Sequence, residues 1–472
     1  MVTPEVAPYA RATRAGEAVA ALAKALCQFE HRVTIAVPRY PGFEAGGLLV
    51  ARRLTPLKLD GGAQITVFDG QLPTGPALVL FDAPGLFDRP GVYGEGADYA
   101  DNAERFGMLS AAAAALIEQR AERREPFDVV HLHDFPTAAV AVVLANAEPR
   151  VPTVVTIHNG ARTGVVAAEE LTRFGIDGAV PDSAREGGGV SLLACGVRSA
   201  RAVTASSPTV ASDLLDPARF GSLARTLVEC PAPLTGILGG LDYAVYNPAT
   251  DPLLKARYDA EDASNKGRSK AELLRSRGLD VDLSRPLVTA LVEATPEGGG
   301  SLLEDSVEAI LKCDVSLVVA AYGDAGLAER LEKISQDSPE RFSVEPNGDE
   351  GFARRAAAAS DFVLLPALYN ATATWARCAQ RYGALPIARA RGADVDAIVD
   401  VDAELETGTG FLFDEATPSD LVGALGRGLA AYGSPRFSSL RRRVMRLDLA
   451  WDRPAHRYVQ VYRQAIAGIG RG

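Results

Sequence analysis

DVVHLHD (residues 128–134) and TVVTIHN (residues 153–159) are short, mostly apolar runs that end in Asp or Asn. A buried parallel strand reads this way when it delivers polar side chains at its carboxyl end. Working outward, RVTIAVP (32–38) and ALVLFDAP (77–84) repeat the pattern, and Ala-rich helical stretches at 18–26, 102–120 and 137–144 fill the spaces between. A second set begins near Pro286 with PLVTALVEA, VSLVVAAYGD, SDFVLLPA and ALPIARA, separated by helices that include 301–312 and 352–359. Strand and helix in alternation predict doubly wound parallel sheets, with ligands in the crevice beyond the strand ends. Between the sets, residues 242–270 are polar and carry the turn signals Asn247-Pro248 and Asp251-Pro252. The expected architecture is α/β: two Rossmann-like, doubly wound domains with an inter-domain cleft. Residues 1–240 form the first, 241–280 the hinge, 281–448 the second, and 449–472 a helix that packs back on the body. Residues 1–4 leave little length for a strand ahead of the first turn, so that strand is short or the chain begins late. A short strand there is expected to cost the first sheet packing on both faces.

Composition narrows the functional classes. Of 472 residues, 47% are hydrophobic and 23% charged, which excludes disorder as the main state. Forty-nine Lys and Arg against 60 Asp and Glu leave a net charge of −11, with no overall basic field to gather nucleic acid or acidic membranes. No run reaches the ~18–20 apolar residues of a membrane span. The opening MVTPEVAPYARATRAGE has neither the apolar core nor the cleavage site of a signal peptide. The five cysteines (Cys27, Cys195, Cys230, Cys313, Cys378) are far apart and never spaced C-x-x-C, so neither a disulfide framework nor a zinc site is expected. These features predict a cytoplasmic protein.

At EVAPYA (5–10) the chain begins to resemble the bacterial glycogen synthases and plant starch synthases. The resemblance returns in order at LFDRPGVYGEGADYADNAERF (86–106), DVVHLHDFPTA (128–138), TIHNGARTG (156–164) and SSPTVASDL (206–214). It continues through TGILGGLDYAVYNPATDPLLKARYDAED (235–262), RYGALPI (381–387) and TGFLFDEATP (409–418), covering nearly the whole chain. The resemblance implies a GT-B fold, an ADP-glucose donor held mainly by the C-terminal domain, and an α-1,4-glucan acceptor on the N-terminal one. It also implies glucose transfer with retention, without a metal or other cofactor. In such chemistry charge develops on the departing diphosphate, which cations and backbone amides neutralise.

The donor-binding motifs depart from the family at four loops. The family's K-T-G-G-L-G-D is here Arg11-Ala12-Thr13-Arg14-Ala15-Gly16-Glu17. Arg11 keeps a charge, Gly16 keeps a glycine, and Thr13 and Arg14 fill the paired glycines that let backbone approach phosphate. The family's S-R-L-T-E-Q-K-G is Val292-Glu293-Ala294-Thr295-Pro296-Glu297-Gly298-Gly299. Gly299 matches, but Glu293 reverses the arginine and Gly298 deletes the lysine, so two cations become one anion. One charge-assisted contact is worth roughly 1.5–3 kcal/mol, so losing both removes several powers of ten in donor binding or rate. In F-E-P-C-G-L-x-Q, Asn370 takes the place of the glutamate that meets the glucose hydroxyls, and Ala373 that of a glycine presenting its amide. R-x-T-G-G-L-x-D becomes Arg389-Ala390-Arg391-Gly392-Ala393-Asp394-Val395-Asp396, with Gly392 kept and an added acid at Asp394. Gly239 replaces the asparagine of N-G-I-D.

On the N-terminal side, His158 matches the family histidine that meets the transferring sugar, and Asp134 the acid of H-D-W, with Phe135 for the tryptophan. These two are the catalytic candidates, and Arg11, Arg14, Gly16, Gly299, Asn370 and Gly392 the donor-binding ones. His131, His133 and His158 invite a metal reading, which no further ligand supports. Asp98, Asn102, Arg105 and Asn247-Pro248 survive as scaffold. Three functions stay open. The first is a catalytically impaired synthase homologue that binds α-glucan or a partner such as an active synthase. The second is a working glucosyltransferase with a clamp rebuilt from Arg11, Arg14 and Arg391, or with another sugar nucleotide. The third is an interaction protein without carbohydrate.

Overall fold

The computed structural model describes residues 1–468 apart from 148–149, 177, 179, 294, 296 and 347. The chain divides into two units, Met1–Gly240 with Trp451–Gly472, and Leu241–Ala450.

In the first unit the strands of the main sheet are β1 (Thr34–Pro38), β2 (Val50–Arg52), β3 (Gln64–Gln71), β4 (Ala77–Asp82), β5 (Val130–His133), β6 (Thr153–Ile157), β7 (Ala202–Ala205) and β8 (Leu234–Gly236). They pair in two ribbons, β8-β7-β6-β5 and β1-β4-β3-β2. Residues 1–3 join them: Val2 bridges in parallel to both Leu132 and Ala36. Its amide reaches the His131 carbonyl at 2.8 Å, and the Thr3 amide reaches that of Ala36 at 3.1 Å. Three residues therefore fill the central strand position, and the packing loss expected from a short first strand does not occur: Val2 and Ile35 are 4% and 0% exposed. Counting residues 1–3 as the first strand, the parallel part follows the order 3-2-1-4-5-6-7, the 3-2-1-4-5-6 of a dinucleotide-binding fold with β8 added beyond β7, while β3 and β2 add antiparallel strands at the other edge.

Three helices of this unit matter for the site. α1 (Arg14–Gln28) is capped by Thr13, whose hydroxyl accepts from the Ala15 amide, and buries Val19, Leu22 and Leu26 at helical spacing. α2 (Asn102–Glu122) and α3 (Phe135–Ala145) follow β4 and β5.

The second unit opens with α4 (Lys266–Ser276) and then alternates β9 (Leu287–Glu293), α5 (Gly300–Lys312), β10 (Ser316–Tyr322), β11 (Phe342–Glu345), α6 (Glu350–Ala359), β12 (Phe362–Leu365), α7 (Thr374–Arg381), β13 (Leu385–Arg389), β14 (Phe411–Phe413) and α8 (Pro418–Tyr432). Its six strands are all parallel in the order β11-β10-β9-β12-β13-β14, again 3-2-1-4-5-6. Val288, Ala290, Leu317 and Val319 turn one face toward Leu303 and Ile310 of α5 and Leu421 and Leu425 of α8. The alternate residues Thr289, Val318, Ala320 and Val363 are equally buried, so the strands read as continuous apolar runs because both faces are covered. The order reverses between β9 and β12, which places the loops after those strands at the ligand-binding switch point. A final helix, α9 (Asp452–Ala467), belongs to the first unit and buries Ala455, Tyr458, Val459, Val461 and Ala465. Among the described residues no helix is long and apolar enough to cross a membrane.

Candidate functional site

At the first unit's switch point, the loop after residues 1–3 wraps around a buried carboxylate. Glu5 is 0% exposed. Its Oε2 accepts from the amides of Ala12 at 2.8 Å and Thr13 at 2.7 Å, and its Oε1 from the Thr13 hydroxyl at 2.6 Å and the Tyr93 hydroxyl at 3.3 Å. A Cβ at Gly16 would stand 3.1 Å from Glu5 Oε2, which is why a glycine sits there. Arg11 and Arg14 both turn to Glu17, sharing its Oε1 at 3.0 Å and 2.5 Å. The loop's amides and both of its arginines thus meet carboxylates of this same chain.

Asp134 follows β5 with φ of +57°. Its Oδ1 accepts from the amides of His158 at 2.8 Å and Asn159 at 3.1 Å, pinning the loop after β6 to the loop after β5. Burial raises its carboxyl to about 7, against the pull of those two amides. His158 is 9% exposed, and its Nε2 lies 3.1 Å from His133 Nδ1. Burial lowers its imidazole to about 4. His131 uses both ring nitrogens, one on the Thr156 hydroxyl at 2.5 Å and one on the Tyr462 hydroxyl at 2.8 Å. Among the described residues no three His, Cys, Asp or Glu side chains gather to hold a metal ion.

Three residues not singled out in the sequence stand beside these. Glu5 is the carboxylate just described. The Arg162 guanidinium lies 4.4 Å over the Tyr93 ring and 5.7 Å over Phe135, and it pairs with Asp98 at 2.5 Å. Tyr93 is held from behind: Asn102 donates to its carbonyl at 2.8 Å. The wholly buried Arg105 donates to the Leu86 and Val92 carbonyls at 2.7 and 2.8 Å and to Asn102 Oδ1 at 2.6 Å. The segment 86–106 carries the signal, since its retained Asn102 and Arg105 are what fix Tyr93. Phe135 fills the room that Gly164 leaves open, where a Cβ would lie 2.2 Å from its ring. A Cβ at Gly239 would lie 3.2 Å from the Trp451 ring.

In the second unit the loop after β9 is folded back on itself. Thr295 donates to the Glu293 carbonyl at 2.8 Å and Gly298 to that of Thr295 at 2.9 Å. A Cβ at Gly298 would fall 2.0 Å from the Glu293 carbonyl oxygen, and one at Gly299 1.9 Å from that of Pro366. Gly299 has φ of +79° and caps α5. Neither position admits a side chain with this backbone, and Glu293 is exposed at the strand end. Ala294 and Pro296 of this stretch lie outside the described residues.

Asn370 closes the loop after β12. Its Oδ1 accepts from the Thr372 amide at 3.1 Å and the Ala373 amide at 3.3 Å, and its Nδ2 reaches both oxygens of Asp394 at 3.2 Å. Its carbonyl accepts from Ala393 at 2.7 Å, close against Gly392, where a Cβ would lie 2.3 Å away at φ of +62°. Asp394 points inward and is 2% exposed; burial raises its carboxyl to about 7, opposed by the Asn370 amide. Ala373 caps α7 in the left-handed region, φ +51°, a conformation that favours glycine. Arg389 spans to the Leu368 and Asp414 carbonyls, whereas Arg391 is exposed and its guanidinium donates to the Ala390 carbonyl. The structure thus gathers Asn370, Gly392 and Asp394 in one cluster and sets Gly299 on the neighbouring loop. In the first unit it groups Asp134 with His158, and Arg11, Arg14 and Gly16 with Glu5 and Glu17.

Known proteins resemble this chain along nearly its whole length. A family model described as the starch synthase catalytic domain matches residues 1–229. The glycogen synthase of Aromatoleum aromaticum is 33% identical over 475 residues, covering 98% of this chain and 95% of that protein. The glycogen synthase of Syntrophotalea carbinolica is 30% identical, covering 99% and 98%. Among solved structures, the catalytic domain of starch synthase IV from Arabidopsis thaliana, bound to ADP and acarbose, superposes with a TM-score of 0.86 at 26% identity, covering 99% and 98%. The sucrose-phosphate synthase of Thermosynechococcus elongatus matches at TM-score 0.62 and 16% identity over 99% and 98%, a likeness of fold alone. The two parallel sheets are those of the GT-B fold. With relatives of this identity along nearly its whole length, the chain belongs to the glycogen and starch synthase family of glycosyltransferases.

Proposed function

We propose that this protein is a catalytically impaired member of its family, a cytoplasmic α-glucan-binding protein with a regulatory role rather than a working synthase. The observation that carries this reading is the loop after β9. Glu293 stands exposed where the family has arginine, and the backbone at Gly298 leaves no room for the lysine, since any Cβ would meet the Glu293 carbonyl at 2.0 Å. A departing diphosphate would meet one anion there instead of two cations. The neighbouring loops support the same reading. Asn370 turns its oxygen onto the Thr372 and Ala373 amides, and Arg11 and Arg14 are engaged by Glu17.

The first unit keeps the groups that suit a neutral sugar. His158 is held uncharged by burial, its backbone is pinned by Asp134, and Tyr93 and Arg162 form a stacked platform. Glucan is accordingly the ligand assigned to it, with a partner protein such as an active synthase as the regulatory target. Calorimetric titration with ADP and ADP-glucose, beside radiolabelled glucose transfer to glycogen, tests the proposal. No binding at millimolar nucleotide and no transfer are expected; micromolar binding with transfer that His158→Ala abolishes would overturn it. One observation favours a second reading, an active transferase with a rebuilt clamp. Arg391 is exposed beside Gly392, and among the described residues its guanidinium meets no carboxylate, donating instead to the Ala390 carbonyl. That reading requires nucleotide binding that weakens in Arg391→Ala.

A further inference from the structure

Two buried rings in the first unit constrain each other. His133 Nδ1 and His158 Nε2 are 3.1 Å apart, and the residues are 1% and 9% exposed. Burial holds both neutral near pH 7. His158 falls to about 4, and His133 well below its ordinary value, pushed down first by desolvation and then by His131 and His158. A neutral imidazole carries one proton, so the pair has only two forms in which the rings are hydrogen-bonded to each other. In one, both rings are protonated at Nδ1, His133 donates and His158 accepts. In the other, both are protonated at Nε2 and the roles exchange.

The forms differ at the nitrogens outside the bond. His133 Nε2 is buried and meets no partner among the described residues. In the second form that atom is an N–H with nowhere to donate; in the first it is a bare ring nitrogen. Orphaned buried N–H groups are the rarer of such defects in folded proteins, which selects the first form. His131 does not compete for the pair. It lies tilted against His133 with centroids 4.1 Å apart, while its own nitrogens are engaged by Thr156 and Tyr462.

We propose that His133 is a positioning residue that locks His158 in the Nδ1–H tautomer, so that His158 offers a neutral N–H donor to a hydroxyl oxygen of a bound sugar. The two assignments of the bond are not equivalent for a ligand. With the lock, the His158 nitrogen left over is a donor without charge, suited to a polyol and indifferent to phosphate. Without it, the ring exchanges between donor and acceptor, and each binding event must select the right form. The sugar half of this inference rests on the glucan reading above; the tautomer half rests on the 3.1 Å contact and on the burial that keeps both rings neutral.

Long-range proton–nitrogen correlation spectra of the full chain labelled with [15N]histidine separate the two halves. There are five histidines, and His133→Asn and His158→Gln assign the two signals. Both rings are expected to be protonated at Nδ1 and bare at Nε2 at neutral pH. Protonation of either at Nε2, or a cationic ring, overturns the lock without recourse to any variant. His133→Asn carries an amide N–H where Nδ1–H stood and should hold His158 in place, whereas His133→Phe should release it to a mixture of tautomers. An unchanged His158 signal in the Phe variant also overturns the lock. In parallel, maltoheptaose should bind the Phe variant about two- to fivefold more weakly than the parent, the cost of a donor tautomer that is only partly populated, and the Asn variant nearly as well as the parent. A parent protein that does not bind maltoheptaose overturns the sugar half, while the spectra still decide the tautomer.

Discussion

Asp394 is a carboxyl group at 2% exposure whose side-chain contact is one amide, that of Asn370 at 3.2 Å to each oxygen. Burial raises it to about 7, with the amide pulling the other way. In the unfolded chain an aspartate titrates near ~3.9. Between those values the folded state holds the additional proton, so this group makes stability fall as the pH rises from about 4 to about 7. Asp394→Asn removes that term. Urea unfolding of parent and variant should coincide near pH 4, and the variant should be more stable by about 2–4 kcal/mol at pH 8. A gap that stays constant with pH would show that the carboxyl is not buried as described. The pairing also shows what a sequence hides at this scale. The loss of glutamate at 370 is legible residue by residue, and so is an added acid at 394. Their coupling is not, because residue type does not say which way a side chain turns. Read alone, Asp394 is an acid crowding a phosphate; in the fold it faces inward and holds the carboxamide that replaced the glutamate. Glu5 was missed for a related reason, since nothing in EVAPYA says that its carboxylate collects the amides of residues 12 and 13.

The loop between β9 and α5 behaves as a single element. Its glycines are not equivalent to missing side chains that could be put back. Gly298→Lys must move the Glu293 carbonyl, which stands 2.0 Å from the new Cβ, and Gly299 is held against Pro366 as well. Gly298→Lys is therefore expected to lose at least about 2 kcal/mol in urea unfolding, the scale of overpacking and backbone strain, and to gain no affinity for ADP. Glu293 is exposed at the strand end, so Glu293→Arg should unfold within about 0.5 kcal/mol of the parent. It turns an anion into a cation at the switch point and should strengthen ADP binding by about tenfold or more, the worth of one charge-assisted contact. Equal ADP affinity in Glu293→Arg and the parent would mean that this loop does not face the nucleotide, and the proposed impairment would lose its main support. Elements of this kind were largely legible. Eight of the parallel strands announce themselves because burial on both faces leaves uninterrupted apolar runs that stop at polar ends, whereas the parallel β7, β8, β11 and β14, only three or four residues long, do not. β2 and β3 did not, because edge strands with one exposed face alternate polar and apolar residues too weakly, as in QITVFDGQ with its half-exposed pattern. The strand formed by residues 1–3 draws its worth from pairing on both sides, with Leu132 and with Ala36, which its length alone does not show.

At the scale of the molecule, the decisive feature is that the first unit is assembled from two distant pieces of chain. Leu241 and Ala450, the ends of the second unit, meet in a parallel bridge, and the Leu241 amide donates to the Leu449 carbonyl at 2.7 Å. The second unit is thus an insertion with adjacent ends. What returns after it is α9, whose Ala455, Tyr458, Val459 and Val461 bury against Leu22, Leu26, Val154 and Ile237 of the first unit. Helical spacing of apolar residues in the tail signals docking; the surface that receives it is written in residues some 200–440 positions earlier, where no local pattern refers to it. Burying Tyr458, Val459 and Val461 together contributes roughly 5 kcal/mol or more, against the 5–15 kcal/mol by which a whole domain is usually stable. The Tyr462 hydroxyl also leaves His131 when the helix is absent. Two truncated chains follow from this. Residues 1–240 alone should lack a cooperative thermal transition by circular dichroism. The same residues joined to 451–472 through a short Gly-Ser linker in place of 241–450 should regain one, because the linker spans ends that the bridge holds side by side. Residues 241–450, with six strands of their own and both helical layers present, should melt cooperatively without help. A cooperative transition for 1–240 at the temperature of the linked form would mean that α9 adds nothing to the first unit, and the backing that Tyr462 gives the histidine cluster would then carry no weight in holding His133 against His158.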